Sequence, residues 1–409
     1  MTIPTFHLFE RFGVELEYMI VDAETLSVRP ISDELLRQAA GAYVNEVERG
    51  DLSWSNELVL HVIEFKTNGP AEGLNGLDAL FQRHVDTVNG MLAPMGARLM
   101  PTAMHPWMDP HQETRLWPHE NSPIYEAFDS IFKCQGHGWS NLQSVHLNLP
   151  FADDEEFGRL HAAVRLLLPI MPALAASSPL IELRTTGILD NRMDVYRTNC
   201  ARVPSVTGYV IPEPVFSMAE YEVEVLQRMY DDIAPHDPEG TLQDEWLNAR
   251  GAIARFERNT IEVRVLDIQE CPKADLAIVT AIAGVLRALT DERWSEWSYQ
   301  QAWEVDPLHT ILLDVTRDAD RALIHNKHYL RALGLQADRA TAGELWRHLV
   351  DAVLPADAPA RKPLDVILAQ GTLARRILRA TNGNLSQDRV AEVYKDLCDC
   401  LEEGRMFEV

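Results

Sequence analysis

Four short runs of this chain place charged side chains where alternation would gather them on one face of a sheet. In Phe12-Gly-Val-Glu-Leu-Glu-Tyr-Met-Ile-Val21, strand geometry points Val14, Leu16, Tyr18 and Ile20 one way. Glu15 and Glu17 point the other way, roughly 7 Å apart at strand rise. Ser144-Val-His-Leu-Asn-Leu149 turns His146 and Asn148 away from Val145, Leu147 and Leu149. Thr260-Ile-Glu-Val-Arg-Val265 does the same with Glu262 and Arg264. A fourth run, Leu58–Thr67, carries Glu64 and is preceded by Glu57. These two are an odd number of residues apart, so one regular strand cannot show both on one face. A bulge, or Glu57 on the preceding turn, would reconcile them.

A half-solvated antiparallel sheet would explain any one of these runs. Together they offer Glu-Glu, His-Asn, Glu-Arg and Glu, and none of the outward pairs draws on Thr, Ser or Lys. Carboxylates crowded on one face repel and push one another's pKa upward unless cations lie between them. Hard divalent ions with oxygen ligands suit such a face, and Mg²⁺ commonly joins protein carboxylates to substrate phosphates. Arg264 beside them suits a phosphoryl oxygen. The residues therefore predict a metal-dependent phosphoryl-transfer site. The fold expected around it is α+β: an open, mostly antiparallel sheet with a polar concave active-site face, helices on the other side and a helical C-terminal extension.

The supporting elements show as periodicities. Leu74 to Met91 has apolar residues at three-to-four spacing and predicts a helix. Asp153 to Ala176 opens on acidic residues, which suits a helix N-terminus. Ser217-Met-Ala-Glu220 and Thr341-Ala-Gly-Glu344 read as capping boxes. Lys273–Leu289 and Ser386–Glu403 predict two more helices, the second stopped by Gly404. After residue 290 only helical periods and loops follow, which divides the chain into a catalytic domain, 1–290, and a helical extension packed on it, 291–409. His105 to Glu120, rich in Pro, His and Trp, predicts a long loop of the kind that borders sites. The spacing of His105, His111 and His119 matches no metal template.

Composition narrows the function. With 62 Asp+Glu against 37 Lys+Arg the net charge is −25, so phosphate backbones and anionic lipid are repelled at long range. Neither nucleic acid nor membrane is expected as a partner. The N-terminal residues lack a basic start and apolar core, and the longest apolar stretch, Leu166–Ile181, is interrupted by Pro169, Pro172 and Pro179. Five cysteines without a C-x-x-C suggest neither a disulfide framework nor a zinc site. The chain reads as cytoplasmic, and its size makes a homo-oligomer the expectation. No Walker loop, dinucleotide fingerprint, H-E-x-x-H or G-x-S-x-G occurs.

At these motifs the chain resembles the glutamate–cysteine ligases and related carboxylate–amine ligases, whose catalytic fold is like that of glutamine synthetase. The similarity spans roughly residues 8 to 290, with the motifs in the family's order. Phe12–Glu17 resembles the first metal-binding strand, and Glu57 with Glu64 the second pair of acidic ligands. Met104-His-Pro-Trp107 is similar to the family's His-Pro loop, Val145–Asn148 to its His-x-Asn strand, and Ala176-Ser-Ser-Pro179 to the turn after its long helix. Tyr196-Arg197 and Arg202–Gly208 resemble the segment whose arginine holds the substrate carboxylate. Glu262-Val-Arg264 resembles the closing Glu-x-Arg strand. Between Ser178 and Tyr196, where substrate choice would be made, the chain departs from the family's pattern.

The resemblance implies an ATP-dependent ligase that phosphorylates a carboxylate, in the first instance the γ-carboxylate of glutamate. An amine then attacks, with cysteine the first candidate. It implies Glu15, Glu17, Glu57, Glu64, His146 and Glu262 as ligands for two or three Mg²⁺ or Mn²⁺. Arg264 and Glu262 would act in catalysis, and Arg264 and Arg255 would meet ATP. Arg197 would anchor the acid in a catalytic and binding role, with Arg192 and Asn148 also on substrate. Two alternatives stand beside this reading: a metal-dependent phosphotransferase acting on a small acceptor, and a non-catalytic nucleotide-binding relative. Retention of the whole charged set counts against the second.

Overall fold

The alternating runs become the middle of an eight-stranded sheet, in a computed structural model that describes residues 5–409. Its strands are β1 (Gly13–Asp22), β2 (Glu46–Arg49), β3 (Leu52–Asn56), β4 (Val62–Thr67), β5 (Ala97–Met100), β6 (Ser144–Pro150), β7 (Ala252–Arg255) and β8 (Thr260–Asp267). The order is β2-β3-β4-β1-β6-β8-β7, with β5 pairing the far end of β1. All pairings are antiparallel. β1 and β6 occupy the positions expected from alternation. The fourth run is shorter than expected, because Leu58 and Leu60 exchange backbone hydrogen bonds with Trp117 and Arg115 in a loop. The strand proper starts at Val62, and Glu57 sits on the turn that precedes it.

The apolar face of the sheet carries Val14, Leu16, Tyr18, Leu147, Val263 and Phe65, all fully buried. Against it pack the helices Leu77–Leu92, Asp154–Leu167 and Pro272–Thr290. The run predicted as one helix to Ala176 breaks after Leu167 into a 3₁₀ turn and a short helix, Pro172–Ala175. Pro169 and Pro172 remove the amide donors that a continuous helix would need. Both predicted capping boxes form. Past residue 290 the chain is helical apart from a two-stranded ribbon, Leu323–Ile324 with Ala340–Thr341.

The polar face of β1 is polar only in its first half. Met19 and Val21 share the parity of Glu15 and Glu17, yet both are buried in a second apolar cluster with Leu373, Ile377, Tyr394 and Leu397. These come from the helices Leu373–Thr381 and Gln387–Glu403, so the C-terminal region covers one end of the face and leaves the acidic end open. It is fastened by a fully buried ion pair, Arg376 with Glu270, in which Arg376 also donates to the Phe407 carbonyl. Removing one partner leaves the other charge buried and uncompensated, at a cost of about 3–5 kcal/mol. Arg376→Ala is accordingly expected to lower the denaturant midpoint sharply. An unchanged midpoint would mean the pair holds nothing together.

Three buried histidines predict an acid response. Burial pushes His61 and His105 down to about 4 and His161 to about 3. His105 Nε2 lies 2.8 Å from the Leu26 carbonyl, and its Nδ1 accepts from the Trp107 amide at 3.2 Å. The His-Pro loop is thus held by its own neutral imidazole. The unfolded chain titrates these groups near 6.5, so it binds protons that the folded state refuses between those values. Their contribution is therefore complete above pH 6.5 and lost as pH falls toward 4, at most about 1.4 kcal/mol per pH unit for each. His161→Phe, in an aromatic setting beside Phe157 and Tyr221, should flatten the fall in unfolding free energy between pH 7 and 5. An unaltered slope would exclude His161 as a contributor.

Candidate active site

Register brings the charged residues together. β1 sets Glu17 opposite Glu64 of β4 and Glu15 opposite His146 of β6. β6 sets Asn148 opposite Glu262 of β8, and a register shift at His146 lets that pair of strands run on to Asp267. Gly13 is needed for close approach, because a Cβ there would meet the Asn148 Cβ at 2.9 Å. Asn148 in turn donates to Glu15 Oε1 at 2.9 Å, and His146 Nδ1 lies 2.9 Å from Glu15 Oε2. Ser144 donates twice to Glu17, from its amide at 2.7 Å and its hydroxyl at 3.0 Å. Ser55 donates to Glu64 at 2.5 Å.

Above this floor opens a cavity of about 350 Å³. It is lined by Glu15, Glu17, Glu57, Glu64, His146 and Glu262, and its walls include Arg192, Arg255 and Arg264. A second cavity of about 470 Å³ shares Glu15, Lys66 and Arg258 with it and adds Phe12, Pro70 and Asn148. Two donor groups, Glu15–Glu64–His146 and Glu17–Glu57–Glu64, each bring their ligand atoms within 4.8 Å of one another. Glu64 belongs to both. Glu262 belongs to neither: Arg264 Nη2 lies 2.9 Å from it and Arg255 Nη1 3.5 Å.

Crowding acts unequally on the carboxylates. Burial and the neighbouring charge of Glu15 raise Glu64 to about 7. Burial, then Glu64 and Glu17, raise Glu57 well above the ordinary range. Glu15 behaves differently. Burial opposes its charge, but the hydrogen bond and charge of His146 outweigh burial and hold it below the usual carboxylate range. Burial likewise opposes a charged His146, and Glu15, Glu17 and Glu262 lift it to about 9. Without added cations the charge of the floor is thus reduced by a proton on Glu57, by partial protonation of Glu64 near neutral pH and by the His146 imidazolium. Hard oxygen donors with one imidazole, carrying charge that asks for neutralisation, fit Mg²⁺ or Mn²⁺.

Of the residues singled out in the sequence, the floor unites Glu15, Glu17, Glu57, Glu64, His146, Glu262 and Arg264, with Arg192 and Arg255 beside them. Asn148 orients Glu15 and lines the adjoining cavity. Arg197 is not brought to either cavity. Its guanidinium pairs with Asp194 one helical turn earlier, at 2.8 Å, and is about a third exposed. The loop His105–Glu120 holds the fold and lines neither cavity.

Several lining residues escaped the sequence reading. Lys66, paired with Glu46 at 2.8 Å and Glu64 at 3.4 Å, was detectable as the next outward position of β4 after Glu64. Tyr125 comes from the helix Ser122–Phe132, Trp139 from a single helical turn and Asn199 from a turn, and no motif marks them as site residues.

The antiparallel sheet with helices behind it is similar in fold to solved ligase structures. A glutamate–cysteine ligase from Francisella tularensis, solved in complex with AMP, superposes with a TM-score of 0.59 at 11% identity, covering 98% of this chain and 90% of that one. A bifunctional glutathione synthetase from Pasteurella multocida gives 0.54 at 13% identity, over 96% of this chain and 52% of that one. At such identities the likeness concerns the fold.

Sequence settles the family: the chain belongs to glutamate–cysteine ligase family 2, whose profile matches residues 11–396. The match runs well beyond residue 290 and takes in most of the C-terminal helices. An uncharacterized protein of Archaeoglobus fulgidus is 32% identical over 97% of this chain and 99% of its own length. A Nocardioides sp. protein provisionally called glutamate–cysteine ligase 2-1 is 27% identical, over 86% and 85%. Among the described residues no helix is long and apolar enough to cross a membrane.

Proposed function

We propose that the protein is an ATP-dependent carboxylate–amine ligase that activates the γ-carboxylate of glutamate as an acyl phosphate and passes it to an amine, cysteine first among the candidates. The observation that carries this reading is the meeting of two carboxylate clusters with Arg192, Arg255, Arg258 and Arg264 in one cavity. Glu15, Glu64 and His146 would hold one divalent ion and Glu17, Glu57 and Glu64 another. Bound there, such ions would offset the charge of the nucleotide's phosphates.

The protein's own groups do the rest. The apolar walls of the adjoining cavity suit a nucleotide base, which leaves the phosphates to cross Lys66 and Arg258 toward the acidic floor. Arg264, fixed by Glu262, would meet the oxygens of the transferred phosphoryl group, where negative charge must be stabilised. Arg255, close by, would steady the nucleotide. Arg192 would receive a carboxylate of the acid substrate, the role that the resemblance gave to Arg197. The amine attacks the carbonyl carbon of the acyl phosphate, the carbon–oxygen bond to phosphate breaks, and the amine's proton leaves. Residues 291–409 would serve as the helical extension that closes one end of the sheet.

Glutamate carrying heavy oxygen in its γ-carboxylate tests the intermediate. One labelled oxygen is expected in the released phosphate when an amine is supplied. Unlabelled phosphate would contradict activation through an acyl phosphate.

A further inference from the structure

Arg192 lies within the stretch where the chain departs from its family's pattern, and its surroundings are unusual. Its side chain is almost fully buried, yet among the described residues Nε and Nη1 have no hydrogen-bond partner, and the residue forms part of the cavity wall. The rest of the guanidinium is held: Nη2 donates to the Arg264 carbonyl at 2.9 Å, and the Tyr196 ring lies 5.8 Å from the Arg192 Cζ. Behind it stands Asp267, the last residue of β8, whose Oδ1 is 3.5 Å from Arg192 Nη1.

Asp267 is itself locked in place. Its Oδ2 accepts from the Ser177 amide at 2.8 Å and the Ser178 hydroxyl at 2.9 Å. Ser178 Oγ also accepts from the Arg192 amide at 3.1 Å, so the Ala-Ser-Ser-Pro turn ties both ends of the ion pair together. A second buried carboxyl, Asp190, completes the group. Its Oδ1 caps the helix Asn191–Tyr196 through the Met193 amide, and its Oδ2 has no partner among the fixed donors. Two carboxylates buried beside one guanidinium would leave one negative charge in excess. Burial and the charge of Asp267 push Asp190 well above the ordinary range, and burial raises Asp267 as well, so the two carboxyls together carry one proton. One negative charge then matches one positive charge.

We propose that Asp267 is a positioning residue that holds the Arg192 guanidinium in the cavity wall with donors free for the acid substrate's carboxylate, and that Asp190 braces Asp267 from behind. This rests on the reading of Arg192 as the acid-binding arginine. It goes further in naming an aspartate pair, remote from the reacting atoms, that sets affinity for the acid. A guanidinium without that partner would turn toward another carboxylate, and the acidic floor supplies several.

Steady-state kinetics of the full-length protein with ATP, Mg²⁺, glutamate and the best amine provide the test. Asp267→Asn is expected to raise KM for glutamate roughly ten- to a hundred-fold, the worth of one charge-assisted hydrogen bond. KM for ATP and kcat should move far less. Asp190→Asn, which keeps hydrogens toward Asp267 and can still cap the helix, should raise it by no more than about threefold. Asp190→Leu, which loses the brace, should approach Asp267→Asn. Arg192→Met separates the levels of the argument. If it raises KM for glutamate while Asp267→Asn does not, Arg192 binds the acid and the positioning role is overturned. If neither variant shifts that KM, Arg192 is misassigned and the proposal falls with it. If Asp267→Asn raises both KM values alike and lowers the melting temperature, its role is structural and the proposal is likewise overturned.

Discussion

Replacing Arg264 with methionine is expected to lower turnover by about 10²- to 10³-fold while leaving the folded protein close to its original stability. The magnitude is that of removing one preorganised donor aimed at charge developing in the transition state. Stability should hold because the deleted charge leaves Glu262 with a second arginine, Arg255 at 3.5 Å, rather than alone in the interior. Arg264 also donates to the Asn248 carbonyl at 3.3 Å, a contact the loop can replace with water. Arg264→Lys should recover only part of the rate, since an ammonium group keeps the charge but not the planar fork. Steady-state rates and melting curves for both variants decide the matter. Near-original turnover in the methionine variant would remove Arg264 from the reacting centre.

Glu64→Gln is expected to stabilise the protein without divalent metal and to disable it in the presence of metal. Glu64 is the one residue common to both donor clusters, so its loss weakens both. In the metal-free protein the same residue is a burden. Its folded value of about 7 lies above the ordinary 4.5. The sign follows from linkage: this stabilising contribution is complete below pH 4.5 and is lost as pH rises through 7. At pH 8 the charged Glu64 costs on the order of 3 kcal/mol, which glutamine avoids. The melting temperature of the metal-free variant should therefore exceed that of the unmodified protein at pH 8, and the difference should vanish near pH 4. Addition of Mn²⁺ should raise the melting temperature of the unmodified protein by several degrees and that of the variant much less. Equal stabilisation of both by Mn²⁺ would place the ion elsewhere.

The alternating runs made the floor legible, because period-two patterning is local and its register is fixed by the apolar face. Glu15 with Glu17, His146 with Asn148, and Glu262 with Arg264 could each be set on the outward face of its own strand before any pairing was known. The unequal behaviour of the carboxylates could not. Crowding alone predicts that every one of them is pushed upward, but His146 stands directly across from Glu15 and reverses its shift, leaving Glu57 and Glu64 to carry the protons. That depends on cross-strand register, which no single strand encodes.

Arg197 shows a different limit. The resemblance named Arg197 for the acid, but each step along a helix turns the side chain by about 100°, so a motif match does not say which arginine of the segment faces inward. Arg192 occupies the inward position, and Arg197 points back to Asp194. Strands β2, β3, β5 and β7 were missed because each has only four or five residues, too few to show a period. The outer cover over Met19 and Val21 was hidden for a related reason. A strand that is solvated at one end and packed at the other reads as a continuous run, as β1 does.

Phosphate release by the purified protein with ATP and Mg²⁺ tests the ligase reading most directly, offering glutamate alone and then glutamate with a panel of amines headed by cysteine. Release that depends on both glutamate and one particular amine, with one amide formed per phosphate, is the predicted result. Phosphoryl transfer to an acceptor without amide formation, or release indifferent to acid and amine alike, would contradict it.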